Sequence, residues 1–311
     1  MLSPGDLHVV AAKEISTGLW EFVAQGQVYR VLESSPDVVV CVPKSGRVTL
    51  VLVSGQSLSV GASSGDTIDP AASITGYTGR RLMPGSNSQG VEDWALTGDS
   101  ITKLRYLKND SNLSFSPATS AVYQALELGT DASFIVLSHG ISGQQIEYLR
   151  DGNSLANGAI QLQGAKTLVE SYGLKVDYRV PMFWNQGEAD GTDTDYFDDL
   201  SGLVDLYKTM VATHLGVGFG LTFFVDQVSR SYTMAPALAQ YKVCDSRDDC
   251  IMALTKAHMQ IKYNMAVETG SSDYTHMSKR GYFFMGAYWG KAIQGLLTNG
   301  QFNSLDKSDV T

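Results

Sequence analysis

The sequence predicts an α/β protein built on a mainly parallel sheet, and three observations carry that expectation. Residues 48–53 form an unbroken apolar, β-branched run, the pattern of a strand buried on both faces. Residues 46–300 alternate such runs with stretches of helical periodicity. The first run stops at Ser54-Gly55-Gln56-Ser57, a small-residue turn at the carboxyl end of its strand. That is the edge where open α/β sheets bind ligands.

The elements follow in order. Residues 1–45 carry short mixed apolar stretches at 19–23 and 38–42, broken by Gly and Ser-Ser-Pro, and read as a small β-containing N-terminal segment. Residues 46–300 form the main domain and 301–311 a C-terminal tail. After the serine turn, 62–110 is long, polar and rich in Gly, Ser and Thr, which predicts a functional loop or lid rather than a plain linker. Ser116-Pro117 opens a helix to about residue 128, with Ser at the N-cap and Pro at the first helical position. Residues 133–138 are the second buried strand. Residues 154–172 are helical and end at Gly173, a suitable C-cap. Strand 176–184, helix 196–215 and strand 218–225 come next. Residues 248–261 read as helix, 265–268 as a short strand and 278–297 as a closing helix. Gly216-x-Gly218-x-Gly220 is not a dinucleotide loop, because a helix precedes it and a strand follows, the reverse of the required order.

Composition narrows the classes. A chain of 311 residues, 43% hydrophobic and 18% charged, is long enough to bury a large core and is not a disordered one. Its net charge of −9 and the lack of a basic run argue against binding nucleic acid or an anionic membrane surface. No apolar segment reaches the roughly 18 residues of a membrane span, and residues 1–20 show no secretory signal. The chain is therefore expected to be cytoplasmic, to leave the cell by another route, or to be a fragment of something longer. Cys41, Cys244 and Cys250 are too few for a disulfide scaffold. Cys244 and Cys250 bracket a polar loop and read as reduced thiols, with pairing open in an oxidising setting.

Three later segments fit the chemistry of the serine turn. Asp273-x-x-His276 precedes the last helix, and a spacing of three puts both side chains on one face. The carboxylate can then orient one imidazole nitrogen while the other meets a nucleophile; the bland alternative is a surface Asp capping a helix. Trp184-x-Gln186-Gly-Glu188-x-Asp190 stands at the end of another buried strand, where a side-chain amide can donate to an oxyanion. Glu188 and Asp190 also read as a glycosidase carboxylate pair, or simply as a polar strand end. The loop 137–146 holds glycines that suit backbone N–H groups converging on an anion. It also holds His139, a rival base that buried histidines at strand ends more often are not.

Gly55-Gln-Ser57, the Gly140–Gly143 loop, the tryptophan block and Asp273-x-x-His276 resemble, in order, the blocks of SGNH hydrolases, across about residues 46–297. The branch they look most like is that of sialate O-acetylesterases and acetylxylan esterases. Leu58 departs from it, standing where that group has Asn. The resemblance implies a flavodoxin-like three-layer α/β/α fold. It implies Ser57 as nucleophile, His276 as base and Asp273 as its orienter. The N–H groups of Ser57 and Gly143 with the Gln186 amide would form the oxyanion hole, with Gln56 and Glu188 in support. The serine block, Ser-Pro-Ala at 116–118 and the tryptophan block are also similar to esterase domains of phage tail fibres and spikes.

The expected activity is then a serine esterase, with no metal or cofactor, that removes O-acetyl groups from a polysaccharide or oligosaccharide. The alternative is a glycan-binding module that has lost turnover, which Leu58 alone favours. Trp94, Tyr77, Arg80 and Arg81 in the long polar stretch are the candidate substrate contacts, through ring stacking and guanidinium hydrogen bonds. Oligomeric state is open.

Overall fold

The computed structural model describes residues 9–61, 79–84, 101, 103–107, 116–228, 234–256 and 276–299. The N-terminal segment is a four-stranded antiparallel meander of β1 (Val9–Ser16), β2 (Leu19–Ala24), β3 (Gln27–Leu32) and β4 (Ser35–Cys41). Gln25 and Gly26 both take positive φ, 51° and 72°, as a two-residue hairpin between twisted strands requires. The meander is a plinth for the main domain. Leu19, Val38 and Val40 enter its core, Arg30 donates to the carbonyls of Tyr172 and Gly173, and the Ser133 hydroxyl donates to the Cys41 carbonyl.

The main domain runs β5 (Arg47–Gly55), α1 (Ser57–Val60), β6 (Arg81–Pro84), β7 (Leu104–Tyr106), α2 (Pro117–Glu127), β8 (Ser133–Ser138), α3 (Ile146–Asp151) and α4 (Asn153–Ser171). It continues with β9 (Lys175–Val176), β10 (Arg179–Asn185), α5 (Tyr196–Leu215), β11 (Gly220–Gln227), α6 (Met234–Ser246), β12 (Cys250–Thr255) and α7 (Lys279–Asn299). Among the described residues its sheet has the order β12-β11-β10-β5-β8-β6-β7, with the short β9 paired to the start of β5. Every pairing is parallel except β6 with β7. The run β8-β5-β10-β11-β12 is the flavodoxin-like order, with its reversal between β5 and β10.

Two apolar layers sandwich this sheet, and the strands divide between them residue by residue. Leu50, Leu52, Ile135, Leu137, Met182, Trp184 and Phe223 pack with residues of α3, α4 and α5. Their neighbours Val51, Val53, Phe134, Val136, Phe183 and Phe224 pack with α2 and α7. A strand whose successive side chains both enter a core must be apolar throughout, which is why these segments carry no polar alternation. The three-layer α/β/α expectation holds.

Three elements differ from expectation. Residues 250–255 are the edge strand β12 rather than part of a helix; pairing with β11 from Phe223↔Cys250 to Gln227↔Thr255 overrides the helical preference of its Met, Ala and Leu. Residues 234–246 form α6, which the sequence pattern did not announce, and Ala239 and Val243 pack into the core from it. The stretch 62–110 is not all loop, because β6 and β7 extend the sheet beyond β8. The strand expected at 265–268 lies outside the described residues. Cys244 and Cys250 are free thiols with sulfurs 3.3 Å apart. No helix among the described residues is long and apolar enough to cross a membrane.

The close pairing of β5 with β10, which sets Gly55 opposite Asn185, leaves no room for a side chain at Gly55. Its φ is +132°, and a Cβ built there would lie 2.1 Å from the Asn185 carbonyl oxygen. Gly55→Ala is therefore expected to destabilise the domain by on the order of 3 kcal/mol in urea denaturation, from backbone strain and the clash together. A loss below about 0.5 kcal/mol, the range of an ordinary surface substitution, would contradict this account of the turn.

Candidate active site

The site grows out of the β5–β10 junction. β5 ends at Gly55; the Gln56 N–H donates to the Asn185 carbonyl at 2.9 Å, and the Ala189 N–H donates to Gln56 Oε1 at 3.3 Å. Gln56 is thus gripped through backbone and side chain, and Ser57 follows it in the first turn of α1. The Ser59 hydroxyl donates to the Gln56 carbonyl at 2.7 Å, and Gly61, at φ 77°, closes the turn. Leu58 is fully buried in the α2/α7 layer. The residue that departs from the family pattern therefore faces the core rather than the cleft.

His276 arrives from the other end of the chain. Its neighbour Met277 is buried in the same layer, and the Ser278 hydroxyl accepts the Gly281 N–H at the start of α7. This leaves His276 half-buried with Nε2 2.9 Å from Ser57 Oγ. A hydroxyl at that distance from an imidazole is the geometry of an activated nucleophile and its base. Asp273 lies outside the described residues.

The glycine loop sits directly on the serine turn. The Ile141 N–H donates to the Gly55 carbonyl at 2.9 Å, and a Cβ on Gly140 would meet Ser59 Oγ at 2.1 Å. Gly143 is exposed, with φ 69°. The loop is held from the β10 side too. Gln186 Nε2 donates to the Gln144 carbonyl at 3.1 Å, and Asp190 Oδ1 accepts the Ile146 N–H at 3.1 Å.

Gln186 itself is completely buried. Its Nε2 hydrogens go to Gln144 and the Asp190 carboxylate, and its Oε1 accepts from the Tyr196 hydroxyl at 2.8 Å. With both donor hydrogens committed, it is arranged to brace the glycine loop rather than to face an oxyanion. Burial pushes Asp190 up to about 6, against the lowering effect of its bonds from Gln186 and Ile146. Glu188 and Asp190 do not face each other across a gap as glycosidase carboxylates do. Glu188 is paired with Lys256, and Asp190 is taken up by the loop.

Two expectations about contacts are corrected. Arg81 pairs with Phe134 at the amino end of β8, the opposite edge of the sheet from Ser57. It is buried there over the Tyr123 ring, and Arg80 reaches Gln27 and Asp131. Arg80 ties the plinth to the start of β8 and Arg81 packs against α2, so neither lines the cleft. Tyr77 and Trp94 lie outside the described residues. His139 is no rival base: burial holds it down to about 4, and its Nε2 meets the Tyr207 hydroxyl at 2.8 Å among α4 and α5. Among the described residues no three His, Cys, Asp or Glu side chains are grouped to hold a metal ion.

Sequence reasoning missed a buried polar cluster beneath the site. Lys256 has no solvent exposure; its ammonium donates to Asn185 Oδ1 at 2.8 Å and to Glu188 Oε1. Asn185 Nδ2 in turn donates to Asp226 at 3.1 Å, and the Trp289 indole N–H donates to both Asp226 oxygens at 3.0 Å. The sequence reading passed over both charges: Asp226 directly follows the strand expected at 218–225, and Lys256 falls within the stretch 248–261 expected to be helical.

A mainly parallel sheet between two helical layers, with Ser57 and His276 meeting at its carboxyl edge, gives the chain a three-layer α/β/α fold of the SGNH type. No protein-family model matches the sequence, and no curated protein matches it. Solved structures match in fold. A protein from Arabidopsis thaliana aligns with a TM-score of 0.54 and 14% identity over 79% of this chain and 97% of its own. NanS aligns with a TM-score of 0.54 and 9% identity over 83% of this chain and 99% of its own. A carbohydrate acetylesterase from Xanthomonas citri aligns with a TM-score of 0.50 and 14% identity; it covers 94% of this chain, which spans 63% of that longer one.

Asp226 gives the cluster a pH signature. Burial, offset by Lys256 and Trp289, pushes its carboxyl up to about 7, whereas an unfolded Asp titrates near 3.9, roughly. Between those values the folded state keeps a proton the unfolded state has lost. Stability from this group therefore falls as pH rises from about 4 to about 7, and is flat above. Asp226→Asn lacks the titration. Its stability relative to wild type in urea should improve from pH 5 to pH 8, and a pH-independent difference would show that Asp226 does not titrate in this window.

Proposed function

We propose that the protein is a serine esterase that removes O-acetyl groups from carbohydrate. The observation that carries this reading is the 2.9 Å approach of His276 Nε2 to Ser57 Oγ at the reversal point of a parallel sheet. Ser57 attacks the acetyl carbonyl while His276 takes its proton. The oxyanion is met by backbone N–H groups of the Ser57 turn and the Gly143 loop. His276 returns the proton to the departing sugar oxygen, then activates the water that frees acetate. Asp273 is proposed to orient His276, three residues before it on the same approach to α7.

The Gly143 loop supports this role because it is fixed from two sides, by the Gly55 carbonyl and by Gln186 with Asp190. Oxyanion donors stabilise a transition state best when they need no rearrangement. Gln186 then acts through the loop. The acetylated carbohydrate substrate is supported by the carbohydrate acetylesterase from Xanthomonas citri sharing the fold. A bacterial surface polysaccharide, and a virion setting, rest on the likeness of the motif blocks to phage tail esterase domains. The alternative, a binding module without turnover, rests on Leu58 alone, whose side chain is buried in the α2/α7 layer.

Acetate release from acetylated bacterial polysaccharides, followed by NMR, tests the reading. Ser57→Ala and His276→Ala should each lower kcat by on the order of 10³-fold or more while the fold is kept, and the double variant should be little worse than either. Full activity in Ser57→Ala would overturn the proposal. Faster cleavage of butyryl than acetyl esters, with no acetate from any glycan, would overturn its carbohydrate half.

A further inference from the structure

Lys256 is the most thoroughly buried charge in the described structure that the reaction itself does not use. It follows the last residue of β12, with no exposed surface, and its partner Glu188 has a side chain only 5% exposed. A buried charge of this kind costs more in desolvation than a well-packed apolar side chain of the same size. Its geometry shows what it contributes instead. The ammonium bridges Asn185 Oδ1 and Glu188 Oε1, closing the turn at the end of β10. The two ends of that turn are the groups that hold Gln56: the Asn185 carbonyl accepts the Gln56 N–H, and Ala189, next to Glu188, donates to Gln56 Oε1. Gln56 precedes Ser57.

We propose that Lys256 is a positioning residue for the nucleophile, acting through Asn185, Glu188 and Gln56. The ammonium fixes the spacing of the two groups that grip Gln56, and that grip sets where Ser57 Oγ stands relative to His276. Asp226 and Trp289 hold the other side of Asn185, so its side chain is clamped between a carboxylate and an ammonium and its carbonyl has one direction available. The inference rests on the esterase reading. A displacement of about 1 Å at a reacting atom costs on the order of 10²-fold in rate, so loosening the turn should reduce turnover without altering how substrate binds.

The test removes both charges together, since Lys256→Met alone would strand a buried carboxylate. In Lys256→Met/Glu188→Gln, kcat for p-nitrophenyl acetate, expressed per site titrated with a covalent serine probe, should fall about 10- to 100-fold with KM within about twofold. A purely structural role would lower the number of titrated sites and leave kcat per site unchanged, and that result overturns the proposal. Should the double variant not fold, Lys256→Gln/Glu188→Gln, which also removes both charges but leaves polar groups beside Asn185, decides. The same fall of about tenfold or more in kcat per site is expected, and an unchanged value overturns the proposal. Wild-type protein with neither turnover nor probe uptake would instead overturn the esterase reading.

Discussion

The hydrogen bond from the Gln56 N–H to the Asn185 carbonyl is the contact on which the rest of the site depends. It lies where β5 and β10 part at the reversal of strand order, and it exists only because Gly55 presents no side chain to Asn185. The close approach turns the chain sharply off the sheet, so Ser57 begins a helical turn directly above the strand ends. A wider turn would move the hydroxyl away from His276, whose own position is fixed independently by Met277 in the core and Ser278 at the start of α7. Two chain segments more than two hundred residues apart therefore meet because each is anchored to the same sheet.

The cost of that placement is a buried polar layer under the site. Parallel strand ends leave backbone and side-chain groups that water does not reach, and each needs a partner. Here the partners form two connected groups. Asp226, Trp289, Asn185, Lys256 and Glu188 lie under the serine turn, while Gln186, Tyr196, Gln240 and Asp190 lie under the glycine loop. The serine turn and the glycine loop rest on these groups.

Much of this was legible in the amino-acid sequence, and the boundary has physical causes. β5, β8, β10 and β11 were readable because strands covered on both faces must be apolar at every position. The serine turn was readable because it stands where such a run stops, and His276 because it closes an Asp-x-x-His spacing ahead of a helix. β12 was not: Cys-Ile-Met-Ala-Leu-Thr is equally compatible with a helix, and only its neighbour β11 decides the matter. The arginines at 80 and 81 misled because a charge in a polar stretch carries no sign of which sheet edge it will reach. Gln186 was found as part of the site, but its burial and its bonds to Gln144 and Asp190 arise from tertiary packing. Lys256 was invisible for the same reason, since nothing local separates a buried lysine from a solvated one.

The account comes down to whether Ser57 is the atom that attacks. The most direct measurement is the site of reaction with a fluorophosphonate probe, read by peptide mass spectrometry on wild-type protein and on His276→Ala. The account predicts a single adduct, on the peptide carrying Ser57, formed far more slowly when His276 is replaced. An adduct on another serine, or equal labelling of both proteins, would contradict it.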